Sequence, residues 1–240
     1  MKCTFDTSSP VAVITIGGEL DLAGTAILRA AVLKCLAAQP RAVLIDAERL
    51  TVTVDIHLTA LAAAARHAAG WPSIPVLLCA PSAAIVRATH RSGIDRLVII
   101  CSSMAEGHRR VAQRTLPSRA SETYPPVPGS VLLARVLVTD ACRIWRLPDT
   151  SSPAETIVAE LIANVVRHAR TPGRLVVSHF ARILHLAVRD QSPEPARLVG
   201  RVGPDARSGR GLLLVDTLAT NWGCTPTADG KVTWATLPTH

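Results

Sequence analysis

Short apolar runs alternate with longer Ala/Leu-rich stretches through the first half of the chain. Val11 to Ile16, Ala42 to Ile45, Val76 to Cys79 and Leu97 to Cys101 have the length and β-branched content of buried strands. Leu22 to Ala38, Ile56 to Ala69, Ser82 to Arg91 and Met104 to Arg114 predict helices. Asp21 and Ser82 stand at N-cap positions, while Gly70 with Pro72, and Gly93, stand where helices stop. Strands that alternate with helices predict a largely parallel sheet with helices packed against it.

The pattern changes after residue 112. Residues 113–128 carry Pro117, Pro125, Pro126 and Pro128 among Ser and Thr, the composition of an extended linker. This divides the chain into a first domain at 1–112 and a second at 129–240. In the second, Ser130 to Trp145 predicts a helix. Another is expected to start at Ser152, with Pro153 at its first position and Glu155 in its first turn, and to run to about Arg170. Arg174 to Phe180 and Ile183 to Arg189 flank Ala181-Arg182 as an antiparallel hairpin. A polar loop over Ser192 to Ser208, a helix over Leu212 to Thr220 and a closing strand over Val232 to Leu237 follow. Helices on one face of an antiparallel-rich sheet make an α/β sandwich. The fold class is therefore α/β in two domains.

The bulk numbers narrow the function classes. A chain of 240 residues with 48% hydrophobic residues builds real cores. The net charge is +8, but it is spread: 11 Lys/Arg against 8 Asp/Glu over residues 1–112, and 13 against 9 from residue 129 onward. Without a concentrated basic run, nucleic acid is not the expected partner. Phosphate groups of a nucleotide or an acidic protein suit the excess better. Six cysteines lie scattered with no C-x-x-C, which argues against zinc and disulfide chemistry and for a reducing cytoplasm. Neither a signal pattern nor an apolar run of about 18 residues is present, so no membrane contact is expected.

The candidate chemistry centres on Glu160-Leu161-Ile162-Ala163-Asn164-Val165-Val166-Arg167-His168. Glu160 and Asn164 are one helical turn apart and share a face. The carboxylate can order a water or take a proton, and the amide oxygen can ligate a metal. Asp190 follows a predicted strand, and Gly209-Arg210-Gly211 precedes a predicted helix.

In their order and spacing, this run, Val188-Arg189-Asp190-Gln191-Ser192-Pro193, and Gly209-Arg210-Gly211-Leu212 through Asp216 resemble the motifs of the Bergerat-fold ATPases. This is the gyrase, Hsp90 and histidine-kinase superfamily, and the likeness is to its anti-sigma factor serine kinases of actinobacterial type. Asn221-Trp222-Gly223 after the last helix agrees. The resemblance implies ATP and Mg²⁺ as cofactors, with Asn164 as the Mg²⁺ ligand and Glu160 as general base. It implies that Asp190 accepts a hydrogen bond from the adenine amino group. Gly209, Gly211 and Leu212 are placed at the phosphates with Arg210 adding charge, and Ser192 and His168 line the nucleotide. His168 also suits a cation at the end of a helix. Ser192-Pro193 stands where the family often has its first glycine box. Asp229-Gly230-Lys231 stands for Gly-Gly-Lys, and Val232 for a frequent Thr.

The first domain resembles the STAS fold of anti-sigma factor antagonists, a mixed sheet with packed helices. The likeness rests on Gly18-Glu19-Leu20-Asp21-Leu22 and Val43-Leu44-Ile45-Asp46. Antagonists carry a phosphate-accepting Ser in the loop that here reads Val54-Asp55-Ile56-His57-Leu58, so Asp55 and Ile56 mark a degenerate acceptor loop. At a helix start Asp55 suits an N-cap and dipole partner. The other reading is a partial imitation of the phosphorylated acceptor, since a carboxylate carries less charge than phosphate.

Together these resemblances imply a cytoplasmic partner-switching regulator of sigma-factor activity. It would phosphorylate Ser or Thr of a separate STAS antagonist, sequester a sigma factor, or both. A non-catalytic interaction protein with a regulatory or degenerate ATP site is the alternative. An intramolecular STAS–kinase contact and a homodimer through the ATPase domain stay open.

Overall fold

The computed structural model describes residues 1–114, 118–180, 182–196, 210–227 and 229–239, Arg210 by its backbone alone. The chain forms two compact units, Met1–Leu116 and Pro117–His240. Both are α/β, as the pattern predicts.

The first unit holds a five-stranded sheet in sequence order: β1 (Lys2–Asp6), β2 (Ala12–Glu19), β3 (Val43–Thr51), β4 (Val76–Cys79) and β5 (Ile99–Cys101). β2 to β5 are mutually parallel, and β1, which the pattern does not predict, adds to β2 antiparallel. Val43, Leu44 and Ile45 of β3 and Leu77, Leu78 and Cys79 of β4 are buried, as continuous apolar strands require. Helices α1 (Leu22–Ala37), α2 (Thr59–Gly70), α3 (Ala83–Ser92) and α4 (Met104–Ala112) connect the strands. Asp21 caps α1 by accepting from the Gly24 N–H at 2.6 Å. Ser82 caps α3, which ends at left-handed Gly93 with φ 67°.

The second unit holds an antiparallel sheet of β6 (Ser118–Tyr124), β7 (Gly173–Phe180), β8 (Ile183–Asp190), β9 (Asn221–Pro226) and β10 (Lys231–Pro238), ordered β6-β7-β8-β10-β9. Leu175, Val177, Leu184, Leu186, Val188, Ala235 and Leu237 form its core face. Against them pack α5 (Gly129–Ile144), α6 (Pro148–Asn164) and α7 (Arg210–Leu218), through residues such as Val138, Ile157, Leu161 and Val215.

Three expectations change here. The Pro-rich segment supplies β6, paired with β7 from Ser118 to Tyr124. A polar edge strand needs only backbone partners and a few anchors, here Ala120 and buried Tyr124. The second long helix starts at Pro148, not Ser152, because Pro148 itself takes the first position and Pro153 lies inside. β9 was read as motif only, although it pairs along most of β10.

Gly107 of α4 shows how tightly the first unit packs. A Cβ there would lie 2.7 Å from Cys79 Sγ and 3.1 Å from Leu44 Cδ2. Gly107→Val is expected to destabilise by about 1–3 kcal/mol, the usual cost of overpacking. A shift of the urea midpoint checks it.

Candidate functional site

The site is built at one end of α6. Ile157 and Leu161 face the core, and Glu160 and Asn164 lie half-buried beside that stripe. After Asn164 the helix widens into a π turn over Val165–Ala169, closed by Arg170 in the left-handed region with its N–H on the Val165 carbonyl at 2.8 Å. Such single wide turns recur at functional sites. Val165 stays buried and rests on Gly173 at the start of β7, where a Cβ would come within 3.0 Å of Val165 Cγ1. At its start, α6 is tied by the Thr150 hydroxyl to the Pro238 carbonyl at 3.4 Å. The helix carrying Glu160 and Asn164 is thus held to the sheet at both ends.

Arg167, in the π turn, reaches back. Its Nη2 donates to Glu160 Oε2 at 3.4 Å and its Nε to the Ala163 carbonyl at 3.2 Å. His168 is exposed on the same turn.

The start of α7 lies directly against Glu160. A Cβ on Gly211 would collide with the Glu160 carboxylate. Only glycine lets the first turn of α7 come this close. Leu212 and Val215 anchor the helix in the core. Trp222 of β9 donates its indole N–H to Asp216 Oδ1 at 2.7 Å. The structure therefore brings Gly211, with Leu212 next to it, against Glu160, and Asn164 lies one helical turn further along α6. Gly209 and the Arg210 side chain lie outside the described residues.

Asp190 ends β8 and is buried, with its side chain 4% exposed. Its Oδ1 accepts from Lys231 Nζ and from the Ser192 N–H, both at 2.8 Å. Lys231, the first residue of β10, is the register partner of Asp190 and also donates to the Ser192 carbonyl at 3.3 Å. Gly230 makes this approach possible, since a Cβ there would strike the Asp190 backbone. Thr171 Oγ1 accepts from the Gln191 N–H at 3.1 Å, tying this loop to the segment after the π turn. Ser192 Oγ accepts from the Glu194 N–H at 3.3 Å. Nearby, the hydrogen bond from Arg189 at 2.6 Å holds the Asp229 carboxyl below its usual range.

Sequence reasoning missed Thr171 and Arg167 as site neighbours, and placed Lys231 in its motif without its pairing to Asp190. Lys231 alone carried a signal: it is one of only three lysines, set at the start of an apolar strand.

The loop over Val54 to Leu58 of the first unit departs from one expectation. Asp55 opens a short 3₁₀ turn, Asp55–Leu58, ahead of α2, and caps nothing with its side chain. Arg91 Nη2 donates to Asp55 Oδ2 at 2.7 Å instead, because α3 brings a guanidinium within reach. Ile56 is 64% exposed and Val54 50%. His57 Nδ1 lies 2.9 Å from the Leu20 carbonyl, which fixes the turn beside the start of α1.

The Asp190–Lys231 pair generates a stability prediction. Breaking a buried pair strands one charge, so Lys231→Met is expected to cost about 3–5 kcal/mol. The double change Asp190→Asn/Lys231→Met recovers most of that loss. Urea unfolding of the three proteins checks both statements.

Residues 124–237 match the family model of the histidine kinase-like ATPase domain. No curated protein matches the chain. The solved structures it is similar to include the anti-sigma factor antagonist SpoIIAA in its unphosphorylated form, at 18% identity and TM-score 0.40, over 48% of this chain and 99% of that one. An anti-sigma factor antagonist from Mycobacterium paratuberculosis aligns at 20% identity and TM-score 0.41, over 47% and 94%. Phosphorylated Bacillus SpoIIAA aligns at 18% and 0.37, over 46% and 99%. These neighbours cover the N-terminal half. The match over residues 124–237, across the α6, β8 and α7 geometry above, identifies the second half of this chain as a histidine kinase-like ATPase domain, with the ATP site that such a domain implies.

Proposed function

We propose that this chain is a partner-switching regulator of sigma-factor activity. Its second unit binds Mg-ATP and transfers the γ-phosphoryl group to a Ser or Thr of a separate STAS antagonist. The observation that carries this reading is the Glu160 carboxylate set against the Gly211 turn of α7, one helical turn from Asn164.

The residues present fit the cofactor. The close approach at Gly211 sets the first turn of α7, whose backbone N–H groups suit phosphate oxygens, beside Glu160. Asn164 offers the hard oxygen that Mg²⁺ prefers. When bound, Mg-ATP supplies the transferable group and neutralises its charge. Glu160 takes the proton of the attacking hydroxyl as the new O–P bond forms and ADP leaves. Asp190 uses Oδ2 for the adenine amino group, since both of its described bonds land on Oδ1.

The acceptor belongs to another chain under this reading, because Asp55 and Ile56 carry no hydroxyl. Sequestration of a sigma factor by the same unit is part of the proposal. We assign the cytoplasm: all six cysteines are free thiols. No helix among the described residues is long and apolar enough to cross a membrane.

One observation favours a second reading, a non-catalytic binding protein. Arg167 donates to Glu160 Oε2 at 3.4 Å, so a carboxylate oxygen that a base would use is already engaged by a guanidinium.

Label transfer from ATP to a STAS antagonist separates the two. Glu160→Ala is expected to cut transfer by about 100-fold or more, the usual contribution of a general base, with ATP affinity little changed. Wild-type protein that binds ATP and transfers nothing would reject the kinase reading and leave the second.

A further inference from the structure

Lys231 has no part in the phosphoryl chemistry, yet it is bonded to the residue assigned to the nucleobase. Its side chain is only 10% exposed. One of its donors goes to Asp190 Oδ1 at 2.8 Å and another to the Ser192 carbonyl at 3.3 Å. The Ser192 N–H takes up the same Oδ1. The carboxylate is therefore fixed by one of its two oxygens. Nearby, Arg189 and Asp229 are paired with each other at 2.6 Å. Among the described residues, Lys231 is the cation bonded to Asp190.

We propose that Lys231 is the positioning residue for base recognition: it anchors the buried Asp190 carboxylate through Oδ1, leaving Oδ2 as an acceptor for the exocyclic amino group of adenine. The inference rests on the reading of the second unit as an ATP site and adds a selectivity determinant to it.

The physical argument is one of donors and acceptors. An ionised carboxylate only accepts hydrogen bonds. It suits the amino group at position 6 of adenine and repels the carbonyl oxygen that guanine has there. Without the charge-assisted bond from Lys231 the carboxyl is no longer held at Oδ1 and can turn its acceptor away from the amino group. The advantage of adenine shrinks, so discrimination falls. Lys231 controls the choice of base without touching the base. A merely structural Lys231 would instead weaken every nucleotide alike.

Calorimetric titration of the full chain with ATP and with GTP tests this on the wild type, Lys231→Met, Lys231→Gln and Lys231→Arg. Lys231→Gln keeps a donor and much of the length but no charge, and stands in if Lys231→Met fails to fold. The wild type is expected to prefer ATP. The two neutral variants lower the ATP-over-GTP ratio by at least about tenfold, a difference of about 1.4 kcal/mol. Lys231→Arg keeps the ratio close to wild type. Equal weakening of both nucleotides in the neutral variants, with the ratio unchanged, overturns the proposal and leaves the ATP site standing. A wild type that binds both equally does the same. A wild type that binds neither overturns the ATP-site reading and this inference with it.

Discussion

Two charges taken out of water recover their desolvation cost only if they meet each other and further hydrogen bonds satisfy what remains. Asp190 and Lys231 meet that condition through Ser192, whose N–H and carbonyl serve one partner each. The end of the second sheet depends on it. The last residue of β8, the loop that follows and the first residue of β10 are joined there, and Thr171 connects them to the chain leaving α6. Under the proposed function, a nucleotide site at this end takes its geometry from this pair.

Missing side chains do the complementary work. Gly211 lets a helix start touch a carboxylate, Gly173 lets the wide turn of α6 settle on the sheet, and Gly230 lets β10 reach the Asp190 backbone. Each is a close approach that a single Cβ would prevent. The site is therefore dense where it is shaped. Arg167 completes it with a cation on the same helix end as the proposed base.

The first unit bears on function through what its loop lacks. Asp55 is held by Arg91, and Val54 and Ile56 stand exposed around it. An exposed ion pair of this kind contributes little stability, about 0–1 kcal/mol at most. It does fix a negative charge on that surface. Under the proposed function this unit is a constant partner, while the switchable hydroxyl lies on another protein.

Much of the fold was legible in the sequence because burial leaves a periodic trace. The apolar runs of β2 to β5, the caps Asp21 and Ser82 and the stop at Gly93 are local facts, and so is the shared face of Glu160 and Asn164. β6 was hidden because a polar edge strand is specified by its partner's backbone rather than by its own side chains. Asp55 looked like a cap because only the packing of α3 supplies the competing Arg91. Asp190 and Lys231 lie 41 positions apart. The sequence determined that each sits at a strand end, since strand ends follow from local apolar pattern and turn residues. The tertiary structure alone decided that they meet, because antiparallel register is set by strand order across the whole sheet.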